Sequence, residues 1–422
     1  MRVPLRRTVC PTRLRRHCSY CCQRQWNHPP EEWLRIRHAM SPSEIAEQAP
    51  VPVPQDLTEG EPGTFRLCCY VESEELGGME TSLSTLLKAL PPRFDVTLIG
   101  RSVEVLTFVA RSRPGTSIEV LRPIRSKTDI LAIISQIWRI RRIHPDVLHA
   151  SLGHSYQAPY VSLAAVITRT RTLAVVHGIF DWSNHPQDAL TRWLIRHLQV
   201  VGGVSKFVCR SIESEYGLPA GSARLLYNGI EDLPLSPPVE EGRSPGATVI
   251  GAVGRCAPEK GFDVLLRAMA ELPADCRLVL LGEGAELAEL TSLARELHIE
   301  DRVQFAGWVD PPWSATWKFD VLVAPSRVEA FGLVAVEAMR AKIPVIASRV
   351  GGFVEIIDDG STGILVEPGD PSALAVAIRR LSQDPVEQKA MAERAYDSVL
   401  GRFSVEAMAQ AYVEVFDGIR KP

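Results

Sequence analysis

From Phe65 onward the chain alternates short apolar runs with stretches of helical period. FRLCCYVE is a buried strand by its nearly continuous apolar content, and ELGGME supplies a glycine turn after it. METSLSTLLKAL follows, with Leu83, Leu86, Leu87 and Leu90 spaced to bury one helix face. FDVTLIG, TSIEVLRP, PDVLHASL, RTLAVVHG and VGGVS read as further strands. DILAIISQIWRIRRI, YVSLAAVITRT, ALTRWLIRHL and KFVCRSIESEYG read as helices, and ARLLYNGIE closes the unit. A second alternating unit starts at Ala247, with ATVIGAVG, CRLVLLG, RVQFAGW, FDVLVAPS, IPVIAS and TGILVEP as strands. Its helices include FDVLLRAMAEL, ELAELTSLARELH, SALAVAIRRLSQ, a segment near 384–399 and SVEAMAQAYVEVFDGIR.

This pattern predicts the α/β class, with parallel sheets covered on both faces. At 422 residues the chain exceeds one core, so two facing Rossmann-like domains are expected. The predicted organisation is an N-terminal domain over 65–231, a Pro- and Gly-rich linker over 232–246, and a C-terminal domain over 247–400. A last helix follows within 401–422. Residues 1–64 look foreign to the rest. Residues 1–40 hold nine Arg and no Lys, and residues 41–64 hold five acids, five Pro and no base. A disordered extension is the plain expectation, with an accessory element or a wrongly chosen start as alternatives.

Composition narrows the classes. The formal net charge of -3 gives no general reason to expect nucleic acid as a partner. No apolar run reaches the length of a membrane span. Nine cysteines without a secretory spacing suit a reducing compartment. Cys10, Cys18, Cys21 and Cys22, with His17, leave a zinc site open, although a single CxxC is a weak signal.

The candidate chemistry sits mainly in the second unit. In GRCAPEKG, Gly254 ends a strand, Gly261 opens a helix, and Arg255 and Lys260 add two cations beside free helix amides. That is a grip for a pyrophosphate, or else a solvated pair at a turn. It is neither a Walker loop nor a dinucleotide fingerprint. In APSRVEAFGLVAVEAM two carboxylates, Glu329 and Glu337, stand eight positions apart around the turn at Gly332. A carboxylate in an apolar helix stretch calls for a reason, and a ribose diol is one. A capping acid plus a solvated one is the alternative. In the first unit, His177 ends a strand before Gly178, and His149 ends DVLH with Ser151 and His154 nearby. Each is either a hydroxyl partner or a hydrogen-bonded core histidine. Gly77 and Gly78 permit close backbone approach to a ligand, and Glu80 falls in the first turn of the next helix.

ELGGME after the first strand, AVVHG, GRCAPEKG, LLGEGAE and E-x7-E, in this order, resemble the GT-B glycosyltransferases of family 4. The resemblance covers about 65–420. It implies a retaining hexosyltransferase that uses a nucleotide-sugar donor, with no cofactor or metal. Its setting would be polysaccharide or glycolipid synthesis in the cytoplasm, free or at the inner membrane face. It implies that Arg255 and Lys260 hold the donor diphosphate and Glu337 the ribose. Glu329 and His177 would contact the sugar, with Gly78, Gly254, Phe331, Gly332 and Leu333 around the sugar and phosphates. The stretch after Phe305, Ala306 to Val309, would meet the base, and the last helix would cross back to the N-terminal domain. The donor diphosphate would itself accept the acceptor proton, so Glu329 is not half of a glycosidase pair. GGME stands where many relatives have GGAE, and Ser151 where many have a histidine. A sugar-nucleotide epimerase, a phosphorylase and a non-catalytic sugar-nucleotide binder are the alternatives. The acceptor, a glycan or a lipid-linked sugar, belongs to the N-terminal domain. There DILAIISQIWRIRRI admits a peripheral membrane face, or an ordinary amphipathic helix buried against its sheet, which is the favoured reading.

Overall fold

The computed structural model describes residues 64–124, 129–153, 159–178, 189–232, 248–309 and 318–420. The expectations for the extension, for its cysteine cluster, for His154 and for most of the linker lie outside these residues. The first sheet holds β1 (Phe65–Val71), β2 (Phe94–Gly100), β3 (Ser117–Val120), β4 (Val147–Leu152), β5 (Thr172–Val176), β6 (Val200–Gly203) and β7 (Arg224–Leu225). Their lateral order is β3-β2-β1-β4-β5-β6-β7, with every pair parallel. The second sheet holds β8 (Thr248–Val253), β9 (Cys276–Leu281), β10 (Val303–Gly307), β11 (Val321–Ala324), β12 (Val345–Ser348) and β13 (Ile364–Val366). Its order is β10-β9-β8-β11-β12-β13, again all parallel. β4, β5, β11 and β12 are buried along their whole length, which accounts for their unbroken apolar runs.

Each sheet reverses its strand order once, between β1 and β4 and between β8 and β11. In open parallel sheets the crevice beyond such a reversal is where ligands bind, because adjacent loops diverge there. This topology sets the loop after β8 beside the loop after β11, although some seventy residues of chain separate them.

Between successive strands of the first sheet lie α1 (Gly78–Ala89), α2 (Val103–Ala110), α3 (Ile130–Ile143), α4 (Pro159–Thr168), α5 (Ala189–Arg196) and α6 (Lys206–Tyr216). Leu83, Leu86, Leu87 and Leu90 are all buried, as their spacing predicts. α2 was not among the expected helices. Ser102 caps it by accepting from the Val105 amide, a start signal easily read as loop. In the second unit lie α7 (Phe262–Glu271), α8 (Leu287–Glu296), α9 (Leu333–Arg340), α10 (Phe353–Ile356), α11 (Pro371–Ser382) and α12 (Pro385–Val399).

The final helix, α13 (Val405–Arg420), lies on the first sheet. Phe416 meets the rings of Phe65 and Phe94, and Asp417 pairs with Arg93 at 2.7 Å. One apolar cluster runs through both halves, reaching from Phe65 to Phe331, Phe353 and Phe403.

α3 packs an apolar inner side on the protein, as the favoured reading expects, but its outer side is apolar as well. α3 turns Ala132, Gln136 and Ile140 to the protein, and leaves Ile130, Leu131, Ile134 and Trp138 exposed. Ile137 and Ile143 pack on the core beside the fully buried Ile140, so large apolar residues lie on both the inner and the outer side of this helix. The inner side packs closely on α4, where the neighbouring buried positions include Ala164 and Ala165.

Candidate active site

The loop between β8 and α7 is built on glycines that no other residue fits. Gly254 has φ +150°, and Gly261 has φ +65° with a Cβ position only 2.2 Å from the Pro325 carbonyl oxygen. That contact presses the GRCAPEKG loop onto the segment after β11. LLGEGAE has a related role. A Cβ at Gly282 would stand 1.9 Å from the Gly254 carbonyl oxygen, and one at Gly284 would stand 2.4 Å from that of Cys256. The Cys256 amide donates to the Glu283 carbonyl at 2.8 Å, and the Glu286 amide to the Cys256 carbonyl at 3.0 Å. The two motifs are one packed unit, a reason for their co-occurrence that the sequence does not display.

Lys260 ends a 3-10 turn just before Gly261. Its Nζ lies 2.8 Å from Glu329 Oε2, which also accepts from Ser326 Oγ at 3.3 Å. The side chains keep 23% and 12% of their exposure, so this ion pair is only partly screened by water. Arg255 pairs with Glu259 at 2.9 Å in a far more open setting, where such a pair contributes little and the guanidinium is free to turn to another anion.

Glu329 is held from beneath by the second glycine pair. Gly351 has φ +48°, and a Cβ there would collide with the Glu329 carbonyl oxygen. The Gly352 amide donates to that same oxygen at 3.0 Å. Gly332, with φ +107°, turns the chain into α9. Phe331 is a core residue, its ring against Tyr227 and Phe403, so only its backbone faces the crevice as a candidate. Glu337 sits on the second turn of α9 with no ionic or hydrogen-bonding partner for its carboxyl among the described residues. Burial alone pushes its pKa up to about 7.

The first half meets this site at its own reversal point. A Cβ on Gly78 would stand 2.9 Å from Leu333 Cδ1, so the start of α1 abuts the start of α9. Ser205 Oγ donates to the Ala330 carbonyl at 2.6 Å. Glu355 accepts from the amides of Lys206 and Phe207 at 2.9 and 2.7 Å, crossing from α10 to the N-terminus of α6. A cavity of about 730 Å³ lies alongside, lined by Phe207, Ser211, Gly351 and Glu355 among others. It adjoins the Glu329 turn through Gly351 but not the Lys260 side chain.

His177 follows β5, its amide bound to the Leu152 carbonyl at 2.8 Å. Both ring nitrogens are shielded from solvent and lack a hydrogen-bond partner among the described residues. Desolvation, with His149 beside it, lowers its pKa to about 3, so the ring is neutral at physiological pH. His149 has a different environment. It is 1% exposed, bonds Ser151 Oγ at 3.1 Å and stands edge-on to Tyr412 and Phe416 of α13. It is a core histidine. Glu80 is buried on the first turn of α1 with Oε1 unpartnered, and burial raises its pKa, opposed by hydrogen bonds from the helix-start backbone and Ser73 and, least, by the charge of Arg255. The sequence reading placed Glu80 on this helix but gave it no role. Its proximity to Arg255 became visible only across the two halves.

Phe305 is a half-buried residue of β10 packed on the second core. Beyond it Gly307 accepts from the Gly282 amide at 2.8 Å, and Trp308 is exposed. Among the described residues no group of three or more metal-ligating side chains gathers. No helix of these residues is long and apolar enough to cross a membrane.

The chain is similar to known proteins over both halves. The family model for glycosyl transferases group 1 matches residues 238–398, and that for glycosyltransferase family 4 matches residues 76–232. A lipopolysaccharide core biosynthesis glycosyltransferase of Rhizobium meliloti, LpsE, is 36% identical over 40% of this chain and 49% of its own length. The chain thus spans about half of that relative. The lipopolysaccharide core biosynthesis mannosyltransferase LpcC of Rhizobium leguminosarum is 32% identical over 55% of this chain and 68% of its own. Among solved structures, Anabaena Alr3699/HepE in complex with UDP-glucose superposes with a TM-score of 0.72 at 21% identity, over 84% of this chain and 99% of the other. That likeness extends to the two-domain GT-B fold. With two family models covering both sheets and a relative matched over two thirds of its length, the chain belongs to glycosyltransferase family 4.

Proposed function

We propose that the protein transfers a sugar, with retention of configuration, from a nucleoside-diphosphate sugar to a glycan or lipid-linked acceptor in the cytoplasm. The observation that carries this reading is the meeting of Lys260 with Glu329 at the reversal point of the second sheet, beside Arg255 and the start of α9. Lys260 and Arg255 bind the diphosphate and stabilise the charge that develops on it as it leaves. The exposed Arg255 exchanges Glu259 for phosphate at little cost. Glu329, anchored by Lys260 and Ser326, accepts hydrogen bonds from sugar hydroxyls. It remains bound to a cation and is poorly suited to act as a nucleophile. The departing diphosphate then takes the acceptor proton on the face it leaves.

Glu337 receives the ribose diol, whose two hydroxyls supply the partners its buried carboxyl lacks. His177, neutral and unpartnered, bonds a donor-sugar hydroxyl from the other half. Gly78, Gly254, Gly332 and Leu333 provide close backbone approach, and the segment after Phe305 flanks the base. No cofactor or metal is part of this reading, since the basic pair supplies the positive charge.

A screen of nucleoside-diphosphate sugars tests it, reading protection against thermal unfolding together with sugar transfer to an added acceptor or to water. At least one donor raises the melting temperature and is turned over. Protection without turnover for every donor and acceptor tried favours the non-catalytic binder, and no protection by any of them sinks the reading.

A further inference from the structure

The helices α3, α4 and α5 form one layer on the first sheet, each packed on the next. Their composition is unlike that of the rest of this half. They carry five arginines and no acidic residue beyond the Asp129 cap. Arg139 is paired with Glu119 at 2.7 Å and Arg196 donates to the carbonyls of Tyr216 and Gly217, so the cations that matter for the outer face are the exposed Arg141 and Arg142. By contrast α1, α2 and α13 carry Glu80, Glu104, Glu406, Glu414 and Asp417. The chain as a whole is slightly acidic, so the imbalance is local.

The same layer turns large apolar side chains to solvent. On α3 these are Ile130, Leu131, Ile134 and Trp138, with Leu131 71% and Trp138 54% exposed. α4 adds Ile167, and α5 adds Leu190 and Trp193. At 100° per residue, the four on α3 and the exposed Arg141 and Arg142 fall within one arc of about 120°. The guanidinium of Arg142 lies 5.3 Å from the Trp138 ring centroid, so cation and aromatic share one place on the surface. Scattered exposed apolar residues need no explanation, but a helix that already buries Ile140 on its inner side and still gathers Ile130, Leu131, Ile134 and Trp138 on its outer arc does.

We propose that this layer is the face by which the protein docks on an anionic lipid surface. Apolar side chains enter the boundary between headgroups and acyl chains, and the arginines meet lipid phosphates just above it. Two exposed arginines on the apolar arc, with Asp129 engaged as the helix cap and Glu119 paired with Arg139, fit that occupant better than a protein partner with mixed charges. α3 begins after β3, at the strand ends that also carry His177, so Ile130 and Leu131 lie at the crevice edge of the layer. Docking there sets the crevice against the bilayer, where a lipid-linked acceptor is presented. The proposal stands on surface chemistry alone and does not require that the protein be a transferase.

Cosedimentation of the full chain with vesicles tests it, using phosphatidylcholine alone and phosphatidylcholine mixed with phosphatidylglycerol. Two surface variants accompany it, Arg141→Glu with Arg142→Glu, and Leu131→Ser with Trp138→Ser. The protein sediments with the anionic vesicles and not the neutral ones. With each surface arginine worth about fivefold in partition, the charge variant loses at least tenfold. The apolar variant loses a similar factor. Both keep the wild-type melting temperature, since all four side chains are exposed. A wild-type chain that stays in the supernatant, because it self-associates by this face or covers it with its own residues 1–63, overturns the proposal. So does binding that both variants retain in full, which would place the contact elsewhere, for instance on the arginines before residue 40.

Discussion

The two sheets bring opposite chemistry to their reversal points. At the second sheet the groups other than Glu337 are charged and already paired, Lys260 with Glu329, Arg255 with Glu259 and Arg327 with Asp263. At the first sheet they are shielded and unpaired, the ring of His177 and one oxygen of Glu80. Paired charges in a partly open crevice lose little when an anion displaces one partner. A neutral polar group held away from water costs stability until a ligand supplies its hydrogen bond. On the proposed reading the basic pair of the second sheet grips a charged donor while Glu329 and Glu337 accept its hydroxyls, and the first sheet adds the uncharged ring of His177.

The largest effect expected from breaking this division falls on the charged side. Arg255→Ala or Lys260→Ala lowers turnover roughly 10²–10³-fold, the loss typical of a removed oxyanion donor. Steady-state rates with the best donor check it, and near-normal rates in both variants would remove the phosphate grip from the account. On the neutral side His177→Ala lowers transfer about tenfold to hundredfold, the range of one unmet buried hydrogen bond. Because its pKa lies near 3, the loss is the same at pH 6 and pH 8. A loss that varies between these pH values would mean the ring acts as a cation.

The acidic pair sharpens the comparison within one sheet. Glu337→Gln weakens binding of the free nucleoside diphosphate, whereas Glu329→Gln spares it and slows transfer. Glu337 also brings a pH dependence. Its carboxyl has a pKa of about 7 in the protein, and ribose hydroxyls favour the charged form. Affinity therefore rises as pH rises through 7, about five- to tenfold between pH 6 and pH 8, beyond any change that Glu337→Gln retains. Calorimetry on the wild type and both variants measures this, and parallel pH curves would contradict the ribose assignment. The same raised pKa has a consequence for folding. The neutral form is preferred in the native state, so the stability it contributes is complete below about 4.5 and is lost as pH rises through 7.

The alternation of apolar runs made the two parallel sheets legible, and the glycines marked the turns that position the crevice. The partner of each charged group was not legible. Lys260 and Glu329 lie 69 residues apart, and only the adjacency of β8 and β11 joins them. His149 and His177 gave nearly the same sequence signal, a histidine at a strand end. The helix α13, more than two hundred residues later, covers the former with Tyr412 and Phe416 and makes it core. At α3 periodicity identified the helix and its buried side, but not that the outer arc would be apolar and exposed. It reveals an apolar stripe, but it does not say whether protein or something else covers that stripe.

The central claim is that the second sheet recognises a diphosphate through Lys260 and Arg255. Calorimetric titration of a nucleoside diphosphate and of the monophosphate of the same base, against the wild type and Lys260→Ala, tests it most directly. The account predicts that the wild type binds the diphosphate at least tenfold more tightly, and that Lys260→Ala loses most of this preference while still binding the monophosphate. Equal affinity of the wild type for both ligands, or a preference that survives in the variant, would contradict it.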